Sequence, residues 1–559
     1  MTLEQNIDDL QKFVSEYDTE QFAGFLAYFI KNRPDSDTEI AINKFESKLK
    51  DFLYLISLNV FAENTGTKEI ALTNDLDILA QKLDQVKGKD VKAKYQDYSM
   101  EKVIHDLALS NHFDNGVLSY NEQDLERLRR IFMPYNDLII QDFGMDIECF
   151  IDLCKEIELI ALIRRKQFVE FMYTKEFIQH RYRLEEQNMD FVKSFDLLPQ
   201  KIQDDYLQFH EQPHRELIFS ANDLCFQFEQ EKVDKFLELL SCGQGHNSKV
   251  RYYTAESPFE LKPLLKLKNG SYLSIYSKQL PISIYKILYA HLLAKPGLKD
   301  KLRKHREDCL EVKVSEIFRK LFPKKDTEYF ENYYIEKNVE QDLLLIYRGN
   351  VIIVETKASK LREPFRTIEK AIVRLQDDFK DSIQYGFDQC KRVEDHFFGD
   401  DSFAIKDEKG KTLKTVNPQK VKSVLSIVVT LERFGGLQTD LGLMLKKDDD
   451  IDFPWSVYID DLETFVMALR QNTKNYSTRF IDFLFNRREL HGRVHAIDEL
   501  DICASFMRRS HEFRKCAEAD DAFVFFSPHE QEYFDELYYK GKLRFDERPL
   551  PDEFYKFGI

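Results

Sequence analysis

The chain has 559 residues, 32% of them charged and 43% hydrophobic, and a formal net charge of −17. That length allows roughly two to four domains with sizeable cores, and the low glycine and proline counts (19 and 15) leave little room for long flexible linkers or low-complexity arms. The acidic balance argues against a broad electrostatic grip on nucleic acid, although net charge says little about one locally basic cleft.

The N-terminal stretch MTLEQNIDDLQKF has no basic segment followed by an apolar one, so no signal peptide is expected. No uncharged apolar run reaches the ~18 residues of a membrane span. A cytoplasmic protein without membrane contact is therefore the expectation. Residues 1–245 read as a mostly helical region. An apolar helix is expected over 20–32, Thr73-Asn74-Asp75 opens another that runs to Lys87, and Asn121 is placed to cap a helix stopped by Pro134. Residues 146–174 carry dense apolar positions, among them Phe150, Leu153, Ile157 and Ile160. Arg127, Arg129, Arg130 and Arg164-Arg165-Lys166 could touch a nucleic-acid backbone, but such points are more often a solvated face among acidic neighbours. Cys242-Gly-Gln-Gly-His246 comes nearest to a metal cluster and lacks the second ligand pair of a structural zinc site. The eight cysteines are scattered without a CxxC pair and read as free thiols.

Residues 246–297 change character. Asn269-Gly270 between two apolar runs predicts a hairpin with a type I′ turn, and a helix follows over 282–294. Ala294-Lys-Pro-Gly297 punctuates the boundary with the segment 298–480. That segment opens on the densest basic run of the chain, Lys299, Lys301, Arg303, Lys304 and Arg306, for which phosphate contact and a solvated helix face weigh equally. A helix over 301–322 places Leu310, Val314, Ile317 and Leu321 on one stripe. A strand over 328–335 comes next.

The stretch 339–359, VEQDLLLIYRGNVIIVETKAS, predicts a hairpin turning at Gly349-Asn350, with Ile346 opposite Ile353, Leu344 opposite Glu355 and Asp342 opposite Lys357. Alternation then puts Asp342, Glu355 and Lys357 on one side and Leu343, Leu345, Tyr347, Ile352, Val354 and Thr356 on the other. Hard oxygen ligands suit Mg²⁺, and an adjacent ammonium can position a water and offset phosphate charge. Taken alone, the triad reads as a solvated strand end in which Lys357 pairs with Asp342, so the surroundings decide. A helix over 368–397 and a buried strand over 421–430 complete them.

The order helix, three strands, helix, strand, with Asp342 opening one strand and Glu355-Thr356-Lys357 closing the next, resembles the PD-(D/E)XK nuclease superfamily, the fold of many restriction endonucleases. The resemblance covers roughly residues 300–430, with Gln341 standing where the family name has proline. It implies Mg²⁺, or Mn²⁺, held by Asp342 and Glu355 with help from the Thr356 carbonyl, and Lys357 orienting the attacking water. The Gln-bearing helix 381–393 resembles the family's Gln motif and implies Gln389, with Gln384 as the second choice, as an auxiliary polar group. The first core helix of the family often lends a glutamate; Glu311 is the choice here, Glu307 the reserve, and Glu316 points towards solvent. Lys301, Arg303, Lys304 and Arg306 lie where they would meet the nucleic-acid backbone.

Beyond the core, Phe434-Gly435-Gly436 marks a break, a strand is expected over 455–459, and helices over 462–471 and 480–487. His491 and His495 lack the glutamate of a helical zinc-hydrolase motif. A strand over 523–526 precedes a capping box, Ser527-Pro528-His529-Glu530, and Gly541 ends its helix. Residues 481–559 read as an accessory region. The expected fold class is α+β and multidomain, with a helical N-terminal region, a mixed-sheet restriction-endonuclease-like core and accessory C-terminal elements. The expected activity is Mg²⁺-dependent hydrolysis of nucleic acid, foremost as a DNA endonuclease of a prokaryotic restriction or phage-defence system. A second copy of the chain or a partner defence protein stays open as a partner. The alternatives are a non-cleaving nucleic-acid-binding or assembly module that keeps the fold, and a helical scaffold with a structural hairpin.

Overall fold

The computed structural model describes residues 2–32, 41–70, 72–90, 100–113, 119–187, 194–243, 250–362, 368–472, 474–519 and 522–547. They form an α+β protein in two compact units. One unit holds the described residues up to 90 and from 119 to 291; the other holds the described residues of 100–112 and 292–546. Of the segments expected from the sequence, 1–245 apart from 100–112 and most of 246–297 fall in the first unit, and 298–480 and 481–546 fall together in the second. No helix among the described residues is long and apolar enough to cross a membrane.

The first unit is mostly helical. Leu3–Val14, Thr19–Lys31, Lys48–Val60 and Leu72–Asp90 enclose a core that includes Ile7, Leu10, Phe22, Phe52 and Leu55. Inside it, Asp51 accepts from Lys87 Nζ at 3.1 Å and from the Tyr253 hydroxyl at 2.7 Å, so that a buried charge is both paired and hydrogen-bonded. The arginines singled out on this region are engaged: Arg129 with Glu148 at 2.6 Å, Arg130 with Glu126 at 2.7 Å and Arg164 with Asp223 at 2.9 Å. Tyr120, not Asn121, is the N-cap of the helix Asn121–Phe132. The hairpin at 264–274 turns differently from expectation. Leu267 and Ser271 close a three-residue loop with only Gly270 left-handed (φ 86°), a type I turn with a bulge instead of type I′. His246 lies outside the described residues.

The second unit is built on a seven-stranded mixed sheet. In chain order we name α1 (Lys299–Leu321), β1 (Thr327–Tyr334), β2 (Glu340–Tyr347), β3 (Asn350–Lys357), α2 (Ile368–Phe379), α3 (Tyr385–Phe398), β4 (Phe403–Lys406), β5 (Thr412–Val416), β6 (Ser423–Thr430), β7 (Trp455–Tyr458), α4 (Ile459–Asn472) and α5 (Tyr476–Arg488). The strand order is β7-β6-β3-β2-β1-β4-β5, with β3, β6 and β7 parallel and the remaining pairs antiparallel. Helix α1 lies against β2 and β3 on the side of Tyr329 and Tyr347, where Phe322 meets the Tyr347 ring at 5.1 Å. On the opposite side Cys390, Val393 and Phe397 of α3 pack with Leu344, Val351, Ile353 and Val428. Helices on both faces explain why β2, β3 and β6 read as near-continuous apolar runs.

The β2–β3 hairpin differs from its expected register by two residues. Tyr347 pairs with Asn350 and Leu343 with Val354, so Arg348 and Gly349 are the turn, both left-handed (φ 52° and 87°), as a type I′ turn requires. Asn350 is drawn into the strand by its side chain, which accepts from Ser423 Oγ at 2.9 Å and donates to the Tyr347 carbonyl at 3.1 Å. Arg348 is held in its unfavourable conformation by Asp326 at 2.8 Å. The register now sets Asp342 across from Glu355, not Lys357. A shift of two preserves side-chain parity, where a shift of one would reverse it.

Residues 481–546 are part of the unit's interior. Buried Arg487 donates to Glu499 at 2.8 Å and to the Thr439 carbonyl at 2.5 Å, and Trp455 of β7 donates to Glu499 at 2.7 Å. The last helix starts at Glu532, not at Ser527, because Gln531 N–H is taken by Asp501 at 3.2 Å and the 528–531 stretch is a turn.

Candidate active site at the end of the central hairpin

The β2–β3 ladder ends at Leu343–Val354, and β3 continues beside β6 as far as Lys357, in register with Thr430. Asp342 stands where the two strands part. Its N–H donates to Glu355 Oε1 at 3.4 Å, and its Oδ2 accepts from Thr356 N at 2.6 Å and Thr356 Oγ1 at 2.8 Å. Lys357 Nζ donates to Glu355 Oε2 at 3.3 Å and to the Thr356 carbonyl at 2.9 Å. The structure thus brings Asp342, Glu355, Thr356 and Lys357 into one hydrogen-bonded group. The Asp342 carboxylate is turned to Thr356 and does not lie alongside that of Glu355.

The group is not the wet cleft that the charges suggest. Glu355 is 0% exposed and Lys357 is buried, while Asp342 is half-buried. The cover is α3. Gly386 lets this helix approach so closely that a Cβ there would stand 2.8 Å from Val428 Cγ1 and 3.3 Å from Lys357 Cε. The Tyr385 ring lies 5.4 Å from Lys357 Nζ.

Burial sets the electrostatics. Desolvation, then the neighbouring Asp342, pushes the Glu355 carboxyl up to about 8, against the opposing pull of Lys357. On α1, Glu311 is half-buried, and desolvation followed by Asp342 pushes it up to about 7. Asp342 is therefore the common neighbour of two carboxyls that resist ionisation. Glu307, the reserve, is exposed. Among the described residues no three His, Cys, Asp or Glu side chains stand together as a ready-made ligand set. The donor types nevertheless fit a hard cation: carboxylates and a peptide carbonyl, with no imidazole or ionised thiol among them. Cys390, buried beside Glu355, is held protonated by desolvation.

The two glutamine candidates separate. Gln384 is committed to the backbone of Lys446, donating to its carbonyl at 2.9 Å and accepting from its N–H at 2.8 Å. Gln389 is buried, its Oε1 has no hydrogen-bond partner, and it lies four residues from Tyr385, on the same helix edge. The basic run separates as well. Lys301 and Arg303 are exposed, and Lys304 pairs with Asp308 at 3.0 Å. Arg306 is buried, donating to the Ala358 carbonyl at 2.9 Å and pairing with Glu432, so it ties α1 to the ends of β3 and β6 and is not available to a phosphate.

Three residues of the site escape a reading of the sequence. Tyr385 and Gly386 gain their roles only from the approach of α3. Tyr333 is fully buried, with an unpartnered hydroxyl that desolvation and then Glu355 hold protonated. Tyr333 shares a face with Phe330 three residues earlier, off the period of a strand, because Asn332 is left-handed (φ 48°). The tolerance of asparagine for that conformation is the sole local signal. Comparison with protein-family models, with curated proteins and with solved structures finds no match for this chain.

Proposed function

We propose that the second unit is a metal-dependent phosphodiesterase acting on nucleic acid, foremost a DNA endonuclease with a PD-(D/E)XK-like core. The observation that carries this reading is the convergence of Asp342, Glu355 and Lys357 at the parting of β2 and β3, with Glu311 of α1 in the field of Asp342. Carboxyls within each other's field, with one lysine among them, leave a deficit of positive charge that a divalent cation would fill. Asp342, Glu355 and the Thr356 carbonyl would hold Mg²⁺ or Mn²⁺, with Glu311 as a further donor. A cation bound there polarises a phosphoryl oxygen and acidifies water. Glu355 must first give up its proton, which its raised pKa retains near neutrality. Lys357 would orient the attacking water and offset charge on the phosphoryl group, and Gln389, buried with an unpartnered Oε1, would be the auxiliary polar group. Exposed Lys301, Arg303 and Lys304 on the first turns of α1 supply contacts for the nucleic-acid backbone.

The wider role, restriction or phage defence in the cytoplasm, rests on resemblance to the family, and a fold hosts many functions. The complete burial of Glu355 favours one second reading, a non-cleaving nucleic-acid-binding or assembly module. Incubating the purified chain with plasmid, linear DNA and RNA, with Mg²⁺, with Mn²⁺ and with chelator, decides between them. Cleavage that needs the cation and is lost in Lys357→Ala supports the nuclease; binding without cleavage under every condition supports the module.

A further inference from the structure

Helix α2 does not pass smoothly into α3. Residues Lys380–Gln384 form a π turn, in which Tyr385 N–H reaches back five residues to the Lys380 carbonyl. Such turns carry one extra residue in the helix and recur at functional sites because they are easily rearranged. This one stands directly before Tyr385 and Gly386, the residues that lie over Lys357.

The turn is clipped from outside at two points. Gln384 makes its two hydrogen bonds to the backbone of Lys446, and Ser359, two residues beyond Lys357, donates from Oγ to the Asp381 carbonyl at 2.8 Å. Both clips are half-exposed or exposed, where water can replace them. Within the turn Ile383 packs in an apolar cluster with Phe379, Phe387 and Phe434. Ser382 Oγ, Gln389 Oε1 and the Tyr333 hydroxyl are all buried without a hydrogen-bond partner. Buried polar groups are almost always satisfied, so these three, one in the turn, one on α3 and Tyr333 in the field of Glu355, mark an arrangement that loses hydrogen bonds by being closed. Tyr385 is 51% exposed, and its ring lies 5.4 Å from the buried Lys357 ammonium.

We propose that the π turn Lys380–Gln384 and Tyr385 form a latch that closes over Glu355 and Lys357, held by Gln384 on Lys446 and by Ser359 on Asp381, and that releasing it opens the site. The inference rests on the nuclease reading only for what enters when the latch opens. The two clips are weak and local, while the strands β2 and β3 that carry Asp342, Glu355 and Lys357 do not depend on them. Opening lets water or a phosphate group reach Ser382, Gln389 and Tyr333, which offsets the loss of the clips.

The test is lysine footprinting of the full chain with an amine-reactive reagent, read by mass spectrometry, on the wild type, Gln384→Ala, Ser359→Ala and the double variant. In the wild type Lys357 should label at least ~10-fold more slowly than exposed Lys301, as a group reached only through local opening does. The double variant should raise Lys357 labelling ~10-fold or more and speed hydrogen exchange of the 380–386 amides, with the β3 and β6 amides unchanged. Each single variant should fall between, so the comparison survives if the double variant does not fold. Lys357 labelling in the wild type at the rate of Lys301, or labelling and exchange that no variant moves, would overturn the latch. Cleavage of plasmid or single-stranded DNA with Mg²⁺ should rise in parallel with labelling. Labelling that rises with no cleavage of any nucleic acid supports the latch and overturns the nuclease reading.

Discussion

Glu355 carries the largest electrostatic burden of the site, and that burden is measurable as stability. Its folded pKa, about 8, exceeds the ordinary carboxylate value, so the folded state holds the proton more tightly than the unfolded one. The stability tied to this proton is complete below the unfolded pKa and is lost as pH rises through the folded one. Glu355→Gln keeps the shape and removes the titration. Melting temperatures of wild type and variant should be close at pH 5, and the wild type should fall below the variant by several degrees at pH 8.5, a difference on the order of a few kcal/mol. Mg²⁺ should raise the wild type selectively at the higher pH. A gap that stays constant from pH 5 to 8.5 would show that burial and Asp342 do not shift the group. Glu311 allows a comparison with its neighbour one turn earlier. Glu311→Gln should raise the metal concentration needed for cleavage with little change in melting temperature, whereas Glu307→Gln, on the exposed face, should leave both unchanged. The opposite pattern would move the third carboxylate one turn along α1.

At the scale of elements, α1 and α3 do different work on the two faces of the β2–β3 hairpin. Helix α1 is tied to the strand ends through Arg306, and losing one partner of a buried charge pair is expensive. Arg306→Ala should therefore destabilise the second unit by ~3 kcal/mol, seen as a lower denaturant midpoint. Lys301→Glu with Arg303→Glu should leave that midpoint within ~0.5 kcal/mol of wild type and weaken nucleic-acid binding with a shallower salt dependence. If the charge reversal leaves binding unchanged, the first turns of α1 do not face the substrate. Helix α3 depends on Gly386, and a methyl group there meets Val428 and Lys357. Gly386→Ala should shift α3 outward and slow catalysis by displacing Lys357, even though alanine favours a helix by about 1 kcal/mol. An alanine variant with unchanged activity and higher stability would mean that the close approach has no bearing on the site.

At the scale of the whole molecule, the seven-stranded sheet is not the centre of a module that stops at residue 480. Arg433, at the end of β6, pairs with Asp461 at 2.6 Å and with Asp498, and Asn111 of the helix Met100–Phe113 donates to its carbonyl at 2.9 Å. Thr439 Oγ1 donates to the Ala496 carbonyl at 2.9 Å. Cutting the chain after residue 480 would take Asp498 from Arg433 and Glu499 from Trp455, leaving buried polar groups short of partners, a loss of several kcal/mol against a typical domain stability of roughly 5–15 kcal/mol. Residues 298–480 expressed alone should be insoluble or lack near-ultraviolet circular dichroism, and the chain extended to 546 and supplied with 100–112 should recover both. A cooperative melt of 298–480 alone would contradict this.

Much of the second unit was legible from local rules. Apolar periodicity places α1, β1, β3, β6 and the helix over 368–397, and side-chain parity puts Glu355 and Lys357 on one face even though the chain turns one residue earlier than Gly349-Asn350 predicts. These features depend on neighbours in sequence, for which turn chemistry and strand alternation suffice. The register itself was decided by Ser423, seventy-three residues away, which takes the side chain of Asn350 into the sheet. The turning of the Asp342 carboxylate to Thr356, the enclosure of Glu355 beneath Gly386 and the passage of Tyr333 to the same face are also tertiary. Each depends on the close approach of segments far apart in the chain or on one left-handed residue, and neither composition nor spacing records it. The order of residue types implied a charged, metal-binding strand end; only the packing of α3 made that strand end buried, and with it the raised pKa of Glu355.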